Sequence, residues 1–392
     1  MRICVVSPGV AHAVPRTLAF AGYFEDVHFI DVKGSADRRQ LSEGNVRWHH
    51  GRESDASGGR IIVGRLLQSL KPDVVVCHFT AGTSFYQCVS QRAAPVAGIA
   101  MGQDVLYEGG DLRVPLVERV VRRLALRQLA LASAKGVTVA NRLREYGVLA
   151  PIDVNYWGCE LDRFRPQQQA QARVKLGLPL NVRIVLSPRA IEPRLNIHLI
   201  VEALPRLLQK IPKLQLVFVG RESPAYRRKV DEAVGTHHLR EHVRFDGEVS
   251  REALVDYIAA SDVAVSAGCS EGFPNTVLEV MACERVCVIS RIPQIENVLT
   301  DGRNAALCGM TSKSIGDRLF DILTDQAQYS QIADGGRQLV ERIGDIRTNG
   351  SRFALQVRGS TGMSRTRRQL AELPLLKMFR VMYAAERRCR GL

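Results

Sequence analysis

Short runs of β-branched and other apolar residues recur along the chain, separated by longer stretches in which apolar positions return every three or four residues. The runs at 3–7, 27–31, 73–77, 96–99, 137–140 and 153–156 read as strands of a first half. Those at 183–186, 214–219, 243–245, 263–266 and 286–289 read as strands of a second. Helix-period stretches such as 197–208 and 251–260 lie between them. Strands that are apolar on both faces belong to parallel sheets covered by helices on either side. The pattern therefore predicts an α/β protein with two Rossmann-like, doubly wound parallel-sheet domains in succession, and a ligand cleft between them where strand ends face each other.

The polar stretch QQQAQAR at 167–173 breaks the alternation and marks a linker, so the first domain is expected at 1–166 and the second at 167–350. From 351 the strand pattern stops. LPLLKMFRVMY at 373–383 sets Leu373, Leu376, Phe379 and Met382 three apart, so 351–392 reads as a basic tail containing an amphipathic helix. No run approaches the ~18 consecutive apolar residues of a membrane span. The apolar run after Arg2 is too short for a signal-peptide core. Nine cysteines without a C-x-x-C pair suggest neither a zinc site nor a disulfide framework, and fit a reducing cytoplasm.

Charge changes this picture. Among 392 residues, 54 are Lys or Arg and 40 are Asp or Glu, a net charge of +14. The second domain carries 23 basic and 22 acidic residues, whereas the tail carries 10 and 2. A cationic tail with an apolar stripe suits either packing on the first domain or an anionic membrane surface, which would make the protein peripheral at the membrane's inner face. The stretch 114–136 places Arg119, Arg123 and Arg127 one turn apart, with Arg122 beside them and Val117, Val120, Val121 and Leu124 opposite. It reads as a helix packed on its own domain with a solvated basic face, with a membrane-contact helix as the alternative. Nucleic acid is not expected as a partner, because aromatics are only 6% and do not interleave with the basic positions.

The stretch richest in chemistry is SDVAVSAGCSEGFPNTVLEVMAC at 261–283. Glu271 falls in a loop after a strand and Glu279 on the helix that follows, with turn residues between. The first amides of that helix, near Asn275–Leu278, would point at an anion such as a diphosphate. A carboxylate on the helix can accept two hydrogen bonds from a ribose diol, and one in the loop can meet a sugar hydroxyl or a developing positive charge.

This arrangement resembles the family 4 retaining glycosyltransferases (glycosyltransferase group 1) of the GT-B fold, whose signature is a Glu, seven residues and a second Glu in a loop and helix. VRFDGEVSREALVDYIAASDVAVS at 243–266, LQLVFVG at 214–220, YWGCELDRFRP at 156–166 and SPRAIEPRLNIHLIVEAL at 187–204 are similar to the family's flanking segments. KPDVVVCHF at 71–79 and GQD at 102–104 have weaker counterparts. The resemblance implies Glu279 as the ribose ligand, Glu271 beside the donor sugar, and Phe273, Pro274, Asn275, Thr276 and Val277 around the sugar, with Gly220 on the donor side. It implies Arg189 as the cation that neutralises the departing diphosphate, a task a forked, permanently charged guanidinium suits. The family's partner lysine falls at Arg194 or, one position on, at Leu195. Gly9, Gly102 and Asp104 would lie on the acceptor side, with Met101 where many relatives have histidine. Glu284 stands at a helix end where the family has glycine.

The function so implied is transfer of a sugar from a nucleotide-diphosphate donor to an acceptor hydroxyl with retention, in cell-surface glycan or lipid-linked saccharide synthesis. No metal or other cofactor is expected, since no D-x-D-type cluster follows a strand and protein cations can take its place. The expected partners are a nucleotide sugar, a glycan or lipid-linked acceptor and an anionic membrane reached through the tail. A sugar-nucleotide epimerase of the same fold and a non-enzymatic polyanion-binding protein are the competing readings.

Overall fold

The apolar runs of the first half assemble into one parallel sheet. Its strands are β1 (Arg2–Ser7), β2 (Asp26–Asp31), β3 (Val46–His50), β6 (Val74–His78), β7 (Val96–Ala100), β8 (Leu131–Ala134) and β9 (Ile152–Val154), in the order β3-β2-β1-β6-β7-β8-β9. A separate antiparallel ribbon pairs β4 (Arg52–Glu53) with β5 (Arg60–Ile61). The second half builds another parallel sheet from β10 (Arg183–Ser187), β11 (Leu214–Phe218), β12 (Val243–Phe245), β13 (Val263–Ser266), β14 (Cys287–Ser290) and β15 (Ala306–Cys308), ordered β12-β11-β10-β13-β14-β15. These facts come from a computed structural model that describes residues 1–9, 13–33, 45–53, 60–106 and 116–367.

Both sheets are doubly wound. The chain lays strands outward on one side of a starting strand, then returns to that strand's other side, so the order reverses between β1 and β6 and again between β10 and β13. In such sheets ligands bind beyond the strands' carboxyl ends at the reversal. The cores explain why both strand faces are apolar. In the first unit one cluster packs Cys4, Ile30, Val75 and Phe85 on one side of the sheet, and another packs Ile3, Val5, Phe29, Val74 and Val76 on the other.

The chain divides into two units, Gly158–Asp345 and the remainder, Met1–Trp157 with the chain from Ile346 onward. The expected boundaries at 166/167 and 350/351 shift accordingly. The polar stretch at 167–173 is not a linker: it opens the helix Gln169–Leu176, which Arg173 fastens to the second unit. The Arg173 guanidinium donates to the carbonyls of Ala260, Leu180 and Val182 and pairs with Asp262 at 2.7 Å. The helix Ile346–Arg367 belongs to the first unit, where Phe353 packs against Phe20 and Trp157 with ring centroids 5.4 and 5.1 Å away. An added Cβ on Gly350 would come within 2.6 Å of the Ala19 carbonyl oxygen, so glycine permits that contact. The expected tail helix at 373–383 lies outside the described residues.

Three strand assignments change. Residues 137–140, VTVA, open the helix Val137–Glu145, and the strand is instead Leu131–Ala134, which contains no β-branched residue. Position within the sheet overrides propensity here. β3 was not expected because its side chains are half exposed at a sheet edge, and β15 because it is three residues long. The helix expected across 114–136 is Leu116–Leu126 and gives way to β8. Arg119, Arg123 and Arg127 are exposed as the spacing predicts, and so is Val120. Arg122 is buried, donating to Glu118 at 3.1 Å.

Candidate active site

The second sheet's reversal point is where the sequence-predicted residues gather. β10 ends at Ser187 and leads through Pro188 into Arg189, while the neighbouring β13 ends at Ser266 and leads into the loop that carries Glu271. The Arg189 Nη2 donates to Glu271 Oε2 at 2.5 Å, and its Nη1 donates to Thr276 Oγ1 at 2.6 Å. Arg189 and Glu271 are each only 9% exposed. Two glycines make this approach geometrically feasible. Gly220, with φ +149°, lies where a Cβ would stand 2.8 Å from the Arg189 carbonyl oxygen, and a Cβ on Gly268 would stand 2.7 Å from Glu271 Oε1.

The helix Asn275–Ala282 begins at this point. Pro274 occupies its N-cap, and no side chain caps its amides. Phe273 and Val277 are 0% and 1% exposed, so their side chains belong to the core, and any contact they make with a sugar must come from the backbone. Arg189 Nε, Asn275 Oδ1, Ser187 Oγ and Ser266 Oγ are buried without a hydrogen-bond partner. Such orphaned polar atoms are rare in folded proteins and call for a ligand, ion or water. Arg189 and the uncapped helix start make this place attractive to an anion.

Glu279 lies one turn into the helix and is 3% exposed. Its Oε1 accepts a hydrogen bond from Arg251 Nη1 at 3.2 Å, and Arg251 Nη2 reaches Glu160 Oε2 at 2.5 Å. Arg251 and Glu160 had not been singled out by sequence. Arg251 begins a helix and its two partners stand 28 and 91 residues away, so only the folded chain brings them together.

Arg194 sits in the turn Pro193–Leu195, where its Nε donates to Glu192 Oε2 at 3.1 Å. Glu192 also receives Arg221 at 2.6 Å. Burial pushes the Glu192 carboxyl up, but Arg194 and Arg221 outweigh it and hold the group below the ordinary range. The turn is held against the Glu271 loop by a hydrogen bond from the Cys269 amide to the Arg194 carbonyl, 3.0 Å. Leu195, the alternative lysine position, is buried in the core.

The first-unit residues stand around that unit's own reversal point. Gly9 follows β1, and its amide donates to Ser7 Oγ at 3.2 Å. The Asp104 carboxylate is fully engaged: Oδ2 accepts from Thr80 N and Oγ1 at 2.7 and 2.8 Å, and Oδ1 from the Met101 and Gly102 amides at 2.9 Å each. It braces the loops after β6 and β7. Glu284 takes φ +53°, the left-handed conformation that its place after the helix calls for.

Residues 168–339 match the family described as glycosyl transferases group 1. The chain is 29% identical over 194 residues to D-inositol 3-phosphate glycosyltransferase 2 of Catenulispora acidiphila, 47% of this chain and 44% of that protein. It is 24% identical over 257 residues to the GDP-mannose-dependent alpha-(1-6)-phosphatidylinositol monomannoside mannosyltransferase of Mycolicibacterium smegmatis, 63% of this chain and 67% of that one. The match thus spans less than half the length of the first of these relatives. The crystal structure of HepE from Anabaena in complex with UDP and glucose is similar with a TM-score of 0.78 at 16% identity, covering 92% of this chain and 100% of that one, a likeness of fold. The matched segment contains Arg189, Glu271 and Glu279 on one doubly wound sheet; over these residues the chain is similar to the group 1 glycosyltransferases, and its two parallel sheets have the GT-B fold.

Proposed function

We propose that the protein is a retaining glycosyltransferase that moves a sugar from a nucleotide-diphosphate donor to an acceptor hydroxyl. The observation that carries this reading is Arg189, a buried guanidinium at a sheet reversal beside an uncapped helix start, with one nitrogen still unpartnered. A diphosphate placed there would be met by a fixed cation and by backbone amides, both stronger as its bond to the sugar breaks and negative charge grows. The diphosphate would take the acceptor's proton on the face it leaves, which preserves the anomeric configuration. Glu271 would sit beside the donor sugar while aiming Arg189, and Glu279 would hold the ribose. Arg194 would add a second cation near the phosphates. Charge balance of this kind calls for no metal.

The acceptor we favour is a glycan or a lipid-linked saccharide at the cytoplasmic face of a membrane. One relative's name supports this class, since it is a mannosyltransferase of a phosphatidylinositol mannoside. The exposed Arg119, Arg123 and Arg127 give the first unit a cationic face that suits such a surface. Among the described residues no helix is long and apolar enough to cross a membrane.

The test is a thermal-shift panel of UDP-, GDP- and ADP-sugars followed by transfer assays. One donor class should raise the melting temperature by mass action. Arg189→Ala should then lower transfer about 100- to 1,000-fold, the usual effect of removing a group that stabilises transition-state charge. Absence of any shift, or wild-type turnover in both Arg189→Ala and Glu271→Ala, overturns the reading.

A further inference from the structure

Arg251 breaks a local rule. It is the first residue of the helix Arg251–Ala260, where Ser250 caps by accepting from the Ala253 amide at 3.2 Å. A cation in the first turn faces the positive end of the helix dipole and is disfavoured there. Its surroundings show what offsets this. The guanidinium reaches Glu279 and Glu160, on opposite sides in the chain, and its central carbon lies 5.1 Å from the centre of the Phe164 ring. Arg163 joins the group, 3.5 Å from Glu160 and 3.3 Å from Glu252.

We infer that Arg251 is a positioning residue: clamped between Glu160 and Phe164, it fixes the Glu279 carboxylate in the orientation that meets a nucleotide's ribose hydroxyls. The inference rests on the nucleotide-sugar reading above.

Three considerations favour orientation over a purely structural role. A partly buried charge triad is a weak source of stability, and apolar residues of similar volume often do as well or better in its place. A guanidinium, unlike an ammonium, holds two carboxylates in a planar, directional fork. Glu279 is 3% exposed on the helix whose start forms the anion site, so a rotation of its carboxylate would move the ribose contact relative to the diphosphate contact. Burial opposes the charge on Arg251, but Glu279 and Glu160 outweigh it and raise the group above its ordinary value, so the clamp stays charged.

The test is calorimetric titration of wild type, Arg251→Met, Arg251→Lys and the double variant Arg251→Met/Glu160→Gln with UDP, GDP and ADP. Each nucleotide is paired with its 2′,3′-dideoxy counterpart. The double variant guards against misfolding, because it neutralises Glu160, one of the two carboxylates that the single change deprives of Arg251. Loss of Arg251 should weaken the preferred nucleoside diphosphate about tenfold, the usual scale for a charge-assisted hydrogen bond. The dideoxy nucleotide should bind wild type and variants alike, and Arg251→Lys should recover part of the loss. Equal losses for both nucleotides, or no loss in either methionine variant, would overturn the inference. Failure of wild type to bind any of the three nucleotides is a separate outcome, which removes the nucleotide-sugar reading and the inference with it.

Discussion

The two sheet reversals have the same topology but differ in how particular buried groups near them are engaged. At β10/β13 a buried arginine, an asparagine and two serines retain unpartnered polar atoms beside an uncapped helix. At β1/β6 the prominent buried acid, Asp104, has both oxygens filled by donors from its own unit. A doubly wound sheet creates the location for a ligand. Whether the location is chemically open depends on how much of its hydrogen-bonding capacity the protein uses on itself.

The largest effect that separates the two is expected from Asp104→Ala. It leaves the Thr80, Met101 and Gly102 donors buried without an acceptor and should cost about 3 kcal/mol of stability, read as a lower urea midpoint. Nucleotide affinity of the folded variant should not change. A selective loss of nucleotide affinity would instead make Asp104 a ligand-site residue and erase the contrast.

A smaller effect tests the second unit alone. Glu284 holds a left-handed conformation that glycine adopts without strain, so Glu284→Gly should stabilise the protein by about 1 kcal/mol, seen as a raised melting temperature. Turnover should be unaltered, because the change lies at the far end of the helix from the anion site. A drop in turnover with raised stability would show that the strain at Glu284 serves the site.

The smallest effect is one of pH. Glu192 has a depressed folded-state value, so its pairing stabilises the protein above the ordinary carboxylate range, and that contribution is lost as pH falls through it. The melting-temperature advantage of wild type over Glu192→Gln should be present at pH 7, shrink as pH falls below the ordinary carboxylate range, and vanish once pH passes the depressed folded-state value. An advantage that persists there would mean that Arg194 and Arg221 do not act through the ionised carboxylate.

The constellation around Glu271 and Glu279 was legible because it is local. Glu271, Thr276 and Glu279 lie on one loop and helix, and the left-handed Glu284 follows from where that helix stops. Arg189 needed the resemblance to be noticed, since 82 residues separate it from Glu271. Arg251 carried no signal of its own beyond a cation at a disfavoured helix position. Phe273 and Val277 were expected around the sugar; their side chains are buried, so that role would fall to their backbone, because the same loop must both present amides and anchor itself. In the first unit, Leu131–Ala134 shows that a central strand can be built of small residues where the neighbours supply the bulk.

The aromatic trio of Phe20, Trp157 and Phe353 has a consequence for synthesis. The ribosome delivers Phe20 and Trp157 early, then makes all of Gly158–Asp345 before Phe353 emerges. The uninterrupted second unit can fold while the first still lacks a wall of its core. Nascent chains from which Phe353 has not yet emerged should therefore expose the Phe20 and Trp157 surface, the stage at which a chaperone has most to shield.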